Sequence, residues 1–297
     1  MMPSKAYEAF TKKAMEERMV ANMPDLSAGP PTLPDDFRAP VPELPAGYTG
    51  GEVTLRGVRG LFMTRPGVRE KCCLMHIHGG GFTIGSAMDT VPLLRHFSQK
   101  TGLACYSVDY RLAPKYRHPA MLDDCVEFYR GLLELGYERI VVGGESAGGT
   151  LTLTLTLALR EAGLPLPAAL WCSSPAVDAN YAHEELFVED AFSAVGDDVF
   201  KIYTVPGQDI RDPLLSPVYA EFTGFPPTLV QAGSRESLSA GCVRLVTALC
   251  RADVDVKFRF GKGMEHTYAM LFGQFPEATS AMREITDFVN DTLDLDA

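Results

Sequence analysis

Residues 139–149 read RIVVGGESAGG, an apolar run of strand length that passes through two glycines to a serine and then through two more glycines into TLTLTLTLALRE at 150–161. The pattern G-x-S-x-G occupies 144–148 and has a mechanical meaning. Where a strand turns sharply into a helix, a Cβ two residues before or after the apex collides with the returning backbone, so only a very small residue fits. The turn lifts the hydroxyl of Ser146 above the end of a sheet, at a helix N-terminus, where exposure and a polarising field coincide. A glycine-rich loop capped by serine gives the same letters, so the reading depends on what surrounds it.

The segment after the turn carries a conflict. Thr150 to Leu157 alternates Thr and Leu with a period of two, which by itself predicts a half-buried strand. Its position directly after the turn predicts a helix instead, and a buried helix tolerates Thr when the hydroxyl bonds the carbonyl one turn back.

Working outward, strands are predicted near 52–56, 59–64, 72–77, 104–109, 139–143, 168–172, 228–232 and 255–260. Helices are predicted near 88–100, 119–136, 147–162, 236–252 and 276–292. Short apolar strands such as CCLMHI alternate with helices, which points to a mostly parallel eight-stranded sheet covered on both faces, a doubly wound α/β architecture. Ser4 is placed to cap a helix over residues 5–22. Seven of the 21 prolines follow, at 24, 30, 31, 34, 40, 42 and 45, so that stretch is neither helix nor central strand. Residues 1–48 are therefore expected to be a small helical cap with a semi-rigid connector, and 49–297 the main domain. Residues 181–222 fit the sheet poorly and are expected to form a second cap segment, at 181–210, or a long lid.

Two further features give Ser146 chemical partners. His78-Gly79-Gly80-Gly81 follows the strand CCLMHI, and three glycines let backbone N–H groups crowd one point without side-chain clash. Gly79 and Gly80, with Ala147 from the elbow, are the expected donors of an oxyanion hole. The six histidines are His76, His78, His96, His118, His183 and His266. His76 lies within a strand, His78 belongs to the glycine loop, and His96 and His118 sit on or beside helices without a matching acid. His266 occupies a loop after the last strand, at the carboxyl end of the sheet, and is the expected general base. The third partner is an acid between Ser146 and His266. Glu236 follows the strand Thr228 to Gln231 and is the choice; Asp253 and Asp255 precede or begin the next strand and face the other end, and Glu265 adjoins His266 too closely to reach its ring.

Taken together, His78-Gly79-Gly80-Gly81, Tyr110-Arg111-Leu112-Ala113-Pro114, Gly144-Glu145-Ser146-Ala147-Gly148-Gly149 and Gly263-Met264-Glu265-His266 resemble the bacterial hormone-sensitive-lipase family of carboxylesterases. Asp212-Pro213-Leu214-Leu215-Ser216-Pro217 and Phe225-Pro226-Pro227-Thr228 resemble its stretch before the acid strand. The resemblance covers about 50–290. It implies the α/β-hydrolase fold, a cap over an acyl-ester pocket, and hydrolysis of short-chain esters. Three departures stand out. Glu145 replaces the commoner Asp. The acid motif Glu236-Ser237-Leu238-Ser239-Ala240-Gly241 lacks the family's further acids. Lys115-Tyr116-Arg117-His118 follows Pro114 where the family continues with Glu. Arg111 with Asp123 or Asp124 is expected to brace the loop near the elbow.

The expected chemistry is double displacement: His266 takes the Ser146 proton, Ser146 attacks an ester carbonyl, and water releases the acyl group. The base must be neutral, and an ordinary imidazole titrates near about 6.5, so activity should fall in mildly acidic buffer. The same constellation serves an amidase or deacetylase, and a scaffold of this kind without turnover serves as a small-ligand receptor.

Bulk properties exclude other classes. Lys and Arg number 27 against 38 Asp and Glu, a net charge of −11 with no basic block, so neither nucleic acid nor an anionic membrane is an expected partner. The first twenty residues interleave charged and apolar side chains, and a cytoplasmic location is expected. The seven cysteines form no CxxC pair and no zinc-finger spacing, so they are expected to be mostly buried thiols, and no metal or organic cofactor is called for. The apolar last strand, Asp255 to Phe260, offers an edge for a second copy, and a homodimer is one expectation.

Overall fold

The computed structural model describes residues 3–20, 39–179 and 203–294, with only the backbone of 14–20. The described residues contain eight strands: β1 (Thr49–Leu55), β2 (Val58–Thr64), β3 (Cys72–Ile77), β4 (Ala104–Val108), β5 (Arg139–Glu145), β6 (Ala169–Ser173), β7 (Thr228–Gly233) and β8 (Val256–Gly261). They form one sheet in the order β1-β2-β4-β3-β5-β6-β7-β8. β1 and β2 make a hairpin whose two-residue turn, Arg56-Gly57, has positive φ at both positions, the geometry that matches strand twist. β2 pairs antiparallel with β4, and from β4 onward every neighbour is parallel.

Parallel neighbours require crossovers, and helices supply them. Among the described residues, α2 (Val91–Thr101), α3 (Ala120–Glu134), α4 (Ala147–Glu161) and α5 (Ser239–Arg251) carry the β3–β4, β4–β5, β5–β6 and β7–β8 connections, while α1 (Lys5–Val20) precedes β1 and α6 (Pro276–Asp294) follows β8. Alternate strand residues feed two cores. Cys73, Met75, Ile77, Val142, Leu170 and Val230 face α3, α4 and α5. Leu74, Val141, Trp171 and Leu229 face α2 and α6. Burying a side chain such as Leu74 or Phe97 contributes roughly 2 kcal/mol, so the central strands read as continuous apolar runs because both faces are covered.

Position decides the Thr/Leu conflict: 150–157 is helix. α4 is buried on nearly all sides, so the period of two has no solvent face to report. Thr152 and Thr156 each donate to the carbonyl four residues back, at 2.9 Å, and Thr150 donates to Ala176 O at 2.7 Å.

The predicted helix at 88–100 divides into a short 3-10 turn, Ala87–Thr90, and α2, which Gly102 ends in the left-handed conformation. The helix expected at 236–252 begins instead at Ser239, because Glu236 turns back to accept the Gly233 N–H.

Ser4 caps α1, accepting the Tyr7 N–H, and its N–H and hydroxyl both donate to Glu277 at the start of α6. Tyr7 and Phe10 pack on Phe275, and Pro3 fills the space beside Gly263. Residues 21–38, the larger part of the expected connector, and 180–202, which hold most of the expected second cap segment, lie outside the described residues.

Candidate active site

Ser146 stands between β5 and α4 with φ 53° and ψ −121°, a conformation that costs about 1–3 kcal/mol for a residue with a Cβ. Its N–H is tied to Ser173 O at 2.8 Å. The flanking glycines are explained by contact: a Cβ on Gly144 or Gly148 would strike the carbonyl oxygen of Ile77, and one on Gly144 would also lie 2.7 Å from the Gly148 carbonyl carbon. These obstacles are backbone atoms and have little room to yield.

Three loops at the carboxyl ends of parallel strands meet there. His266, after β8, places Nε2 2.9 Å from Ser146 Oγ and Nδ1 3.1 Å from Glu236 Oε2. Glu236, after β7, is fully buried, and its other oxygen accepts the Gly233 N–H at 3.2 Å. Gly233 is a residue that sequence reasoning passed over. A Cβ there would meet the carbonyl oxygens of Met264 and Glu265, so glycine lets the acid loop and the histidine loop touch. The Gly263 N–H donates to Ser234 Oγ at 2.7 Å, the Arg235 N–H to Met264 O at 2.9 Å, and the Thr267 N–H to Ser174 Oγ at 3.0 Å, which fixes the backbone on both sides of His266. Asp255 precedes β8, at the far end of the sheet, as its sequence position implied. His183 lies outside the described residues.

The glycine loop requires one correction. The Gly79 N–H donates to Glu145 Oε1 at 2.7 Å and is therefore not available to an oxyanion. Gly80 and Gly81 both have positive φ, and among the described residues neither of their N–H groups meets an acceptor, nor does that of Ala147 at the first position of α4. Three consecutive glycines look alike in sequence. The carboxylate next to Ser146 distinguishes them.

Burial opposes charge on Glu145, but the His76 ring and the Gly79 N–H outweigh it and hold the carboxyl below its ordinary value. Burial lowers the His78 imidazole, which stacks on Tyr110 with ring centroids 4.2 Å apart. The Tyr110 hydroxyl donates to His78 O at 2.8 Å, and the Ala113 N–H donates to Phe82 O at 2.9 Å, so the Tyr110–Pro114 segment braces the glycine loop. Of the two acids considered for Arg111, Asp124 is the partner, accepting from both its backbone N–H and its guanidinium at 2.8 Å. The departure at Lys115 to His118 also has a role. The His118 N–H donates to Tyr203 O at 2.9 Å, His118 Nδ1 lies 3.0 Å from the Tyr203 hydroxyl, and the Tyr203 ring stacks on Phe82 at 3.8 Å.

All seven cysteines are free thiols and five are buried, where burial raises their pKa and makes them poor nucleophiles. Among the described residues no group of three or more His, Cys, Asp or Glu is arranged to hold a metal ion, and no helix is long and apolar enough to cross a membrane.

A family model described as the alpha/beta hydrolase fold matches residues 74–270, a stretch that contains Ser146, Glu236, His266 and the glycine loop. An esterase of Acinetobacter venetianus is 32% identical over 255 residues, 82% of this chain and 82% of that protein. An acetyl-hydrolase of Streptomyces hygroscopicus is 32% identical over 242 residues, 80% of this chain and 81% of that one. The crystal structure of an esterase from the bacterial hormone-sensitive lipase family aligns with a TM-score of 0.78 and 33% identity, covering 84% of this chain and 86% of that chain.

Proposed function

The chain belongs to the α/β-hydrolase-fold family, among the hormone-sensitive-lipase-like carboxylesterases, and we propose that it hydrolyses small acyl esters by double displacement through an acyl-enzyme on Ser146. The observation that carries this reading is the continuous hydrogen-bonded line from Ser146 Oγ through the His266 ring to Glu236.

An ionised Glu236 can only accept, so it takes the Nδ1–H of His266 and leaves Nε2 as the acceptor for the Ser146 hydroxyl proton. Ser146 Oγ then bonds to the ester carbonyl carbon. The negative oxygen that forms is met by the N–H groups of Gly80, Gly81 and Ala147. Each such donor is worth about a hundredfold or more in rate, because it is oriented before charge develops. The C–O bond to the alcohol breaks as protonated His266 returns its proton to the leaving oxygen. Water, deprotonated by the same ring, releases the acid and restores Ser146.

The 32% identity to an acetyl-hydrolase argues for a small acyl group. α1, lying against Phe275 and beside the His266 loop, belongs in this reading to a cap over the pocket. Free buried thiols fit a reducing compartment, and a cytoplasmic location is part of the proposal. β8 ends the sheet with Phe260 exposed, and two copies pairing there would cover it; a monomeric mass by light scattering contradicts that pairing.

The test is a series of p-nitrophenyl esters of rising acyl length beside the matched anilides. The proposal expects the highest kcat/KM on the shortest acyl esters. Preference for long chains, or anilides cleaved faster than esters, overturns it.

A further inference from the structure

One residue row crosses the sheet beneath the active site. Ser107 on β4 is the register partner of His76 on β3, His76 is the partner of Gly143 on β5, and Gly143 is the partner of Trp171 on β6. Gly143 has no side chain to offer, and a Cβ there would strike the Trp171 indole, so Trp171 leans across the gap and stacks on His76 with planes 13° apart. His76 is buried, its Nδ1 lies 3.2 Å from Ser107 Oγ, and its Nε2 lies 2.8 Å from Glu145 Oε2. The other carboxylate oxygen of Glu145 takes the Gly79 N–H, and the Glu145 carbonyl oxygen packs so closely on Gly79 that a Cβ there would sit 2.9 Å from it.

We propose that His76 and Glu145 form a positioning pair for the oxyanion hole: the ring, clamped by Ser107 and Trp171, aims the Glu145 carboxylate at the Gly79 N–H and so fixes where Gly80 and Gly81 present theirs. This rests on the esterase reading of the same site. Glu145 touches no reacting atom. It acts through the loop and is joined to Ser146 by one peptide bond, so a single side chain couples the two halves of the site. A buried polar contact is weak evidence for stability, since apolar residues of like volume often serve as well or better. Its presence directly beside the nucleophile calls for another reason, and preorganisation supplies it. Donors aimed before charge develops lower the barrier, whereas donors free to drift must be ordered during the reaction. The chain length of Glu matters here, because one carboxylate must reach both a ring on β3 and an amide beyond it.

The experiment compares wild type with Glu145→Gln, His76→Gln, the double variant and Glu145→Asp, using p-nitrophenyl acetate and a trifluoromethyl ketone that adds to the serine as a tetrahedral oxyanion. The expected result is a fall in kcat of about tenfold to a hundredfold in each Gln variant with KM within about twofold. The ketone should weaken by the same factor, since it reports the oxyanion and not the ground state. The double variant should be no worse than the worse single, because the two residues act as a unit. Glu145→Asp, which keeps the charge but shortens the reach by one methylene, should recover only part of the loss.

Full kcat in both single variants overturns the proposal, as does a loss that appears in KM while ketone affinity is retained. If the substitutions prevent folding, the amide proton of Gly79 in 15N-labelled wild type carries the test: a carboxylate acceptor shifts it strongly downfield, and an ordinary glycine shift overturns the pair. Wild type inactive on every ester instead contradicts the esterase reading, which separates the two failures.

Discussion

The Nε2 atom of His266 lies 2.9 Å from Ser146 Oγ although the two residues stand 120 positions apart in the chain. The contact exists because β5 and β8 are parallel members of one sheet and both loops leave from the same end. The geometry of the proposed catalytic line is a consequence of strand direction.

The acid end of that line is the first thing to test. Glu236→Gln keeps the shape of the side chain but removes the charge that holds Nδ1 protonated and stabilises the imidazolium. Expected is a loss in kcat of about a hundredfold to ten-thousandfold with KM little changed. Asp255→Asn, at the other end of the sheet, should stay within about twofold of wild type, within the scatter of exposed substitutions. Steady-state kinetics on p-nitrophenyl acetate checks both.

The elbow glycines are expected to be intolerant for reasons of space. In Gly148→Ala or Gly144→Ala the new methyl would meet the Ile77 carbonyl oxygen. A loss of at least about 2 kcal/mol follows from overpacking against backbone. Urea unfolding measures it. Gly163→Ala, whose Cβ would meet nothing within 4 Å but whose φ is +63°, should lose only about 1 kcal/mol from its backbone conformation.

Stability should also depend on pH. Burial holds the imidazoles of His78, His96 and His118 below the ordinary histidine value. In the unfolded chain each titrates near about 6.5, so between that value and its lower folded one the unfolded state binds more protons than the native state. Stability is then fully present above about pH 6.5 and declines as the pH falls through this window. Tm measured from about pH 7.5 to pH 5.5 should drop, and His96→Gln should flatten the decline. A Tm that rises over that interval contradicts the assignment.

Much of this was legible in the sequence because the relevant signals are local. Apolar runs of five to seven residues marked the central strands, and glycines two before and two after Ser146 marked the turn. Glu236 was legible from its place after the β7 run even without the acids that usually accompany it. The Thr/Leu alternation at 150–157 misleads because periodicity reports a contrast between two faces, and α4 is buried almost all round. Other features depend on register, which one sequence does not display. His76 reads as one more strand residue until pairing sets it between Ser107 and Gly143, and Glu145 reads as a small change from Asp until its carboxylate is seen to reach Gly79. The offset of the proposed oxyanion donors by one glycine rests on that same contact.

The claim on which the account depends is that Ser146 is the nucleophile. The direct measurement is to inactivate the protein with a p-nitrophenyl phosphonate and locate the adduct by mass spectrometry, with Ser146→Ala treated alongside. The account predicts one adduct per chain on the peptide containing Ser146, ester hydrolysis lost in step with labelling, and a variant that neither labels nor turns over. An adduct on any other residue, or hydrolysis retained by Ser146→Ala, would contradict it.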